Sequence, residues 1–213
     1  MEKIKLLSED NLNLVGNYYP SESDTKGVLL LHIYRRSKED WKDFAELLNR
    51  AGYKVLAMDL RGHGESEGDI QKIFSQDSSL IISKDVGLAV DFLKKDGAKN
   101  IFIIGASIGA NAALIYGAKY GPAGIALLSP GFDYHGINIE VSMKNYSSPI
   151  FLVASEDDSY SAQTVKKIYD VSPALKNDKA LILYKKAGHG TNMFGQEFPD
   201  LSERLVEWLN SIN

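Results

Sequence analysis

Four histidines, no cysteine and a glycine-flanked serine at a strand-to-helix junction bound the chemistry open to this chain. The serine is Ser107, in Gly105-Ala-Ser-Ile-Gly109. It stands between the apolar, β-branched run Ile101–Gly105 and the Ala-rich stretch Ile108–Tyr120. A serine forced onto a sharp strand-to-helix turn projects its Oγ beyond the sheet, and glycine on either side removes the Cβ atoms that would collide there. A serine hydroxyl is a poor nucleophile until a base takes its proton, and the base needs an orienting carboxylate. His189, in Lys186-Ala-Gly-His-Gly190, follows the last apolar run and is the best-placed base, with His135 second. His32 and His63 read as loop histidines that bond backbone. The carboxylate belongs in Ser155-Glu-Asp-Asp158, after the run Ile150–Ala154. All three acids are available. Asp158, third after the small residue Ser155, is the choice, with Asp157 in reserve.

These groups need a frame that brings them to one edge. Two opening strands, Lys3–Leu7 and Leu12–Tyr19, flank an Asp-Asn turn. Gly27–His32 is continuously apolar, as a strand covered on both faces must be. A helix over Trp41–Ala51 stops at Gly52, and Tyr53–Asp59 is the next strand. Then come a helix over Lys84–Lys95, the strand Ile101–Gly105, the helix Ile108–Tyr120 and the strands Ile125–Ser129 and Ile150–Ala154. Ser161–Val171 is a helix, Leu181–Tyr184 the last strand and Leu201–Leu209 the last helix. This βα alternation predicts an α/β protein, a doubly wound and mostly parallel sheet with helices on both faces. Chemistry in such sheets lies beyond the carboxyl ends of the strands.

The length favours one domain over 1–213, and the 19 residues between Ser129 and Pro149 are too few for a multi-helix lid. A net charge of −4 gives no basic face for nucleic acid or an anionic membrane. No run approaches the ~18 apolar residues of a membrane span, and no apolar leader follows the first residues, so a cytoplasmic protein is expected. The absence of cysteine removes a thiolate nucleophile and a Cys-type zinc site. No His/Asp spacing resembles a metal-ligand set, and neither phosphate-binding glycine motif is present. Nothing in the sequence fixes an oligomeric state.

The order Ser107, Asp158, His189 on this strand pattern resembles the α/β-hydrolase superfamily over nearly the whole chain. Asp59-Leu-Arg-Gly-His-Gly-Glu-Ser66 is similar to the D-x-R-G-x-G-x-S segment those proteins carry after the fourth strand. The resemblance implies an eight-stranded sheet whose second strand is antiparallel, and acyl-enzyme hydrolysis without a cofactor. It also implies an oxyanion hole from the backbone N–H groups of Ile108 and Tyr34. Here the chain departs from the family. His32 matches its His-Gly after the third strand, but Ile33 replaces the glycine. A β-branched residue adopts positive φ poorly, so this loop must follow another path. Tyr34 and Phe74 are further residues of interest, and Ile33, Phe132, Tyr134, Tyr160, Met193 and Phe194 are expected at the substrate. The expected reaction is serine-dependent cleavage of a small carboxylic ester of short to medium acyl chain. Arg35 and Arg36 suit the alternative, a thioester on a charged carrier such as coenzyme A. A catalytically silent binding module on the same fold is the third reading.

Overall fold

The computed structural model describes residues 1–22, 25–69, 71, 74 and 78–212. Much of the polar stretch around Phe74 therefore lies outside the described residues. Eight strands form the main sheet. They are β1 (Glu2–Leu7), β2 (Asn13–Tyr19), β3 (Lys26–Leu31), β4 (Lys54–Met58), β5 (Asn100–Ala106), β6 (Gly124–Leu128), β9 (Ile150–Ser155) and β10 (Lys179–Tyr184). Between β6 and β9 a small hairpin, β7 (Asp133–Tyr134) and β8 (Ile137–Asn138), stands apart from it. The spatial order is β1-β2-β4-β3-β5-β6-β9-β10. β2 pairs antiparallel with β1 and β4, and the remaining neighbours are parallel. This is the doubly wound sheet expected, with its antiparallel second strand.

The helices are α1 (Lys42–Arg50), α2 (Ser78–Lys95), α3 (Ile108–Tyr120), α4 (Glu140–Asn145), α5 (Ser159–Val171) and α6 (Leu201–Ser211). Strand side chains alternate between two cores. Leu29, Leu31, Ile101 and Ile103 face Val86 and Leu93 of α2, Ala112 and Ala113 of α3 and Val165 and Ile168 of α5. Val28, Leu30, Phe102 and Ile104 face Phe44 and Leu48 of α1 and Leu205 and Leu209 of α6. Both faces of β3 are thus covered, and that is why its sequence is apolar without a break. Each buried leucine contributes about 2 kcal/mol.

Three elements differ from expectation. A 3₁₀ turn, Lys38–Trp41, precedes α1, so Trp41 closes the turn rather than opening the helix. α2 begins six residues earlier than its apolar spacing suggests. The β7–β8 hairpin and α4 occupy a segment read as irregular.

The parallel register aligns Leu31 with Gly105 and Ala106 with Leu128, so these strands end together. α3 leaves that edge in very close contact with β3. A Cβ on Gly109 would stand 2.4 Å from the Leu31 carbonyl oxygen and 2.8 Å from that of His32. Both obstacles are backbone and cannot swing aside. Gly109→Ala is therefore expected to lower the unfolding free energy by about 3 kcal/mol, at the upper end for overpacking. A urea midpoint unchanged from wild type would show that the helix does not approach so closely.

Candidate active site

Ser107 sits at the junction of β5 and α3 with φ 56° and ψ −118°, and its N–H donates to the Leu128 carbonyl at 2.8 Å. The left-handed backbone is strained, costing on the order of 1–3 kcal/mol, and persists because the turn is fixed on both sides. Glycine is required two residues before it as well. A Cβ on Gly105 would stand 2.1 Å from the Gly109 carbonyl oxygen.

Asp158 lies at the N-terminus of α5, where one carboxylate oxygen accepts from Ser161 N–H at 3.3 Å. Its other oxygen accepts from His189 Nδ1 at 2.6 Å. With Nδ1 donating, His189 keeps its Nε2 lone pair free to take a proton. Of the acids after β9, Asp158 is the one that meets His189. Asp157 instead accepts from Gly188 N–H at 3.3 Å, and Glu156 pairs with Lys185 at 2.9 Å. Burial alone would raise the Asp158 pKa, but hydrogen bonds from His189 and Ser161 and the His189 charge outweigh it, and the net direction is down.

A folded pKa below the ordinary value of 3.8 means that this carboxylate stabilises the fold fully above that pH. The contribution is lost as pH falls through the lower folded value. Melting of wild type and Asp158→Asn from about pH 6 to pH 2 should show their Tm difference shrinking at the acid end. A constant difference would mean that Asp158 is not held as the anion.

Two serines that the sequence reading did not single out hold the histidine loop. Ser155 Oγ accepts from Ala187 N–H at 2.8 Å, and Ser129 Oγ accepts from Gly190 N–H at 2.9 Å. Ser155 thus has work that a glycine there could not do. Their positions, at the end of β9 and just after β6, are the available signal.

The loop after β3 takes its own path. Positive φ falls on Arg35, at 58°, and Ile33 avoids it. His32 has no exposed surface and is fully committed: Nδ1 donates to the Ile33 carbonyl at 2.7 Å, and Nε2 accepts from Leu60 N–H at 2.9 Å. Burial pushes its pKa down to about 4. Arg36 N–H also donates to the Ile33 carbonyl, at 3.0 Å. A trans peptide sets N–H opposite C=O, so anchoring the Ile33 carbonyl aims Tyr34 N–H away from His32. Neither Tyr34 N–H nor Ile108 N–H meets an acceptor among the described residues. Ile33 itself packs over Gly190, where a Cβ would stand 2.7 Å from its Cδ1.

Tyr134 and His189 meet edge to face at 6.3 Å, Tyr134 and Tyr160 at 5.8 Å, and Phe132 and Tyr160 at 6.1 Å. These three rings form one cluster beside the histidine. Met193 and Phe194, also expected at the substrate, do not join it. The 3₁₀ turn Gly190–Met193 carries them onto the α1 side, where Met193 is 1% exposed and Phe194 stacks on Phe44 at 5.1 Å. His135 meets Phe74 at 4.4 Å and Tyr34 at 4.5 Å and has no carboxylate of the β9 loop as partner. Arg36 is bound to Asp40 at 2.8 Å, while Arg35 lies over the Tyr34 ring at 5.2 Å. A groove of about 830 Å³ runs along α2, over the Arg61–Asp85 pair, and none of these site residues lines it. The described residues hold no group of three or more metal-ligating side chains.

The fold has close counterparts. An esterase of Pyrococcus furiosus superposes with a TM-score of 0.79 at 24% identity, covering 99% of this chain and 90% of that one. An esterase from Rhodococcus sp. gives 0.78 at 17% identity, covering 100% of both chains. At these identities the likeness is one of fold. Among curated proteins, protein phosphatase methylesterase 1 of Bos taurus is 34% identical over 97 residues, 45% of this chain and 25% of that protein. Epoxide hydrolase B of Mycobacterium tuberculosis is 32% identical over 122 residues, 55% of this chain and 33% of that protein. The matched stretches span only a quarter to a third of those relatives. The family profile described as serine aminopeptidase, S33 matches residues 23–143, more than half of the chain. With the eight-stranded sheet and the glycine-flanked serine turn, this match establishes that the chain belongs to the serine aminopeptidase S33 family of α/β-hydrolases.

Proposed function

We propose that this protein is a serine-dependent hydrolase of small carboxylic esters, with Ser107 as nucleophile, His189 as base and Asp158 as its orienting acid. The observation that carries the reading is the 2.6 Å Asp158–His189 pair, at the same sheet edge as a serine on a strained turn. Ser107 Oγ attacks the acyl carbon as His189 Nε2 takes its proton. The N–H groups of Ile108 and Tyr34 receive the oxyanion. His189 returns the proton to the departing alcohol. Water then repeats the sequence and releases the acid. Apart from the ester and water, each step draws on groups of the chain. The short β7–β8 flap in place of a lid favours short to medium acyl chains, and Phe132, Tyr134 and Tyr160 would line their path.

Thioesters of an anionic carrier are the second reading, favoured by Arg35, which stays outside the Arg36–Asp40 pair. The substrate on either reading is a small molecule. Among the described residues no helix is long and apolar enough to cross a membrane.

The experiment is hydrolysis of p-nitrophenyl esters from acetate to decanoate, alongside fluorophosphonate labelling. Turnover falling with chain length supports the reading. Labelling of Ser107 without turnover of any ester points to the thioester alternative. No labelling leaves the silent binding module.

A further inference from the structure

The β7–β8 hairpin has no part in the reaction as written, yet it carries a phenol into the site. His135 and Gly136 form its two-residue turn with φ 55° and 85°, the left-handed pair that matches the twist of a tight hairpin. Its base is stapled by Asn111, a fully buried residue one helical turn after Ser107. Asn111 Nδ2 donates to the carbonyls of Gly131 at 2.9 Å and Ile137 at 2.8 Å, and its Oδ1 accepts from Gly131 N–H at 3.2 Å. The tip is held where His135 stacks on Phe74 and rests against Tyr34. Pinned at both ends, the hairpin fixes Tyr134.

The Tyr134 ring faces His189 edge-on, and its hydroxyl lies 3.1 Å from Ser161 Oγ and 3.3 Å from the Ser129 carbonyl oxygen. Leu128, the residue before Ser129, accepts from Ser107 N–H at 2.8 Å, so the hydroxyl is bound at the strand end that adjoins Ser107. Burial first, then the Asp158 charge, push the phenol up to about 12, against the hydrogen bond with Ser161. It therefore remains a proton donor throughout the range in which an imidazole acts as base. In acyl transfer the atom between nucleophile and base is the leaving oxygen, and later the attacking water. A hydroxyl on a ring that faces His189, bound at the strand end adjoining Ser107, is within reach of that place. Its present bonds are long ones, so exchanging them for a better acceptor costs little.

We propose that Tyr134 is a further catalytic residue, whose O–H donates a hydrogen bond to the leaving oxygen as the C–O bond breaks and then to the incoming water. The inference rests on the serine-hydrolase reading. The proton that departs with the alcohol comes from His189, and Tyr134 keeps its own. In the second half His189 takes a proton from water, the hydroxide bonds to the acyl carbon, and Ser107 Oγ leaves with the proton returned.

The test is Tyr134→Phe, assayed on ethyl and p-nitrophenyl esters of the same acid. Ethoxide needs help in leaving and p-nitrophenolate does not. We expect kcat/KM to fall roughly 30-fold for the ethyl ester and less than about 3-fold for the p-nitrophenyl ester, a modest share of what one positioned proton donor supplies. The ratio of the two cancels any loss of folded protein. Equal losses, or none, overturn the proposal, because a packing role would lower both alike. Fluorophosphonate labelling of both proteins separates the two levels. If Ser107 labels in each and the leaving-group split is absent, only the Tyr134 inference fails. If wild type does not label, the serine reading fails and the inference with it.

Discussion

Ser107→Ala is expected to lower kcat for any ester the protein cleaves by roughly four to six orders of magnitude, the loss seen when a serine nucleophile is removed. The remaining rate would come from the oxyanion donors and from binding. Stability should move the other way in a companion variant. Ser107 holds φ 56° and ψ −118°, a conformation that only glycine adopts readily. Ser107→Gly relieves that strain and is expected to raise the unfolding free energy by about 1 kcal/mol while abolishing turnover. Urea unfolding and steady-state assays on the same preparations check both. A Ser107→Ala protein retaining a tenth of the wild-type rate would remove this residue from the chemistry. An unaltered midpoint for Ser107→Gly would mean that the turn stores no strain.

The second large effect separates neighbouring acids. Asp158→Asn keeps the size of the side chain but exchanges the acceptor facing His189 Nδ1 for an amide, which favours the wrong tautomer. A comparable change in a serine hydrolase costs about 10⁴ in kcat. Asp157→Asn removes a charge but keeps an amide oxygen able to accept the 3.3 Å bond from Gly188 N–H, and should cost no more than a few-fold. Because the two positions are adjacent, general damage to the loop would affect them alike. A stopped-rate comparison on one ester decides it: similar losses would mean that the His189–Asp158 pair is not what orients the base.

Much of the fold is legible in the sequence. Continuous apolar runs such as Gly27–His32 mark strands covered on both faces, and the glycines around Ser107 mark a turn that admits no Cβ. Asp158 and His189, the candidate acid and base, follow consecutive strands, and the structure pairs them at 2.6 Å. What was not legible has a common cause. Two-residue strands such as β7 and β8 carry no periodicity. The Asn111 staple joins residues twenty and twenty-six apart in the chain, so local pattern cannot reveal it. Met193 and Phe194 are apolar in either role, and only the direction of a single 3₁₀ turn sends them toward Trp41 and Phe44 rather than toward Tyr134. Ile33 was conspicuous as a departure from glycine. Its resolution, a positive φ displaced to Arg35 and a carbonyl fastened by His32, depends on contacts with the loop after β4.

The Asn111 staple has a consequence for how this scaffold changes over time. One amide side chain on the helix behind Ser107 grips both arms of the hairpin, at Gly131 and Ile137, so the path of the arms does not depend on the length of the turn that joins them. Insertions there would lengthen the hairpin without disturbing either anchor, because closing a longer surface loop adds only about 0.6 kcal/mol for each doubling of its length. The turn is a socket for exchangeable parts: tips of other lengths and compositions, grafted beyond Tyr134, would reshape the roof of the site while Tyr134 and the groups beneath it stay as they are.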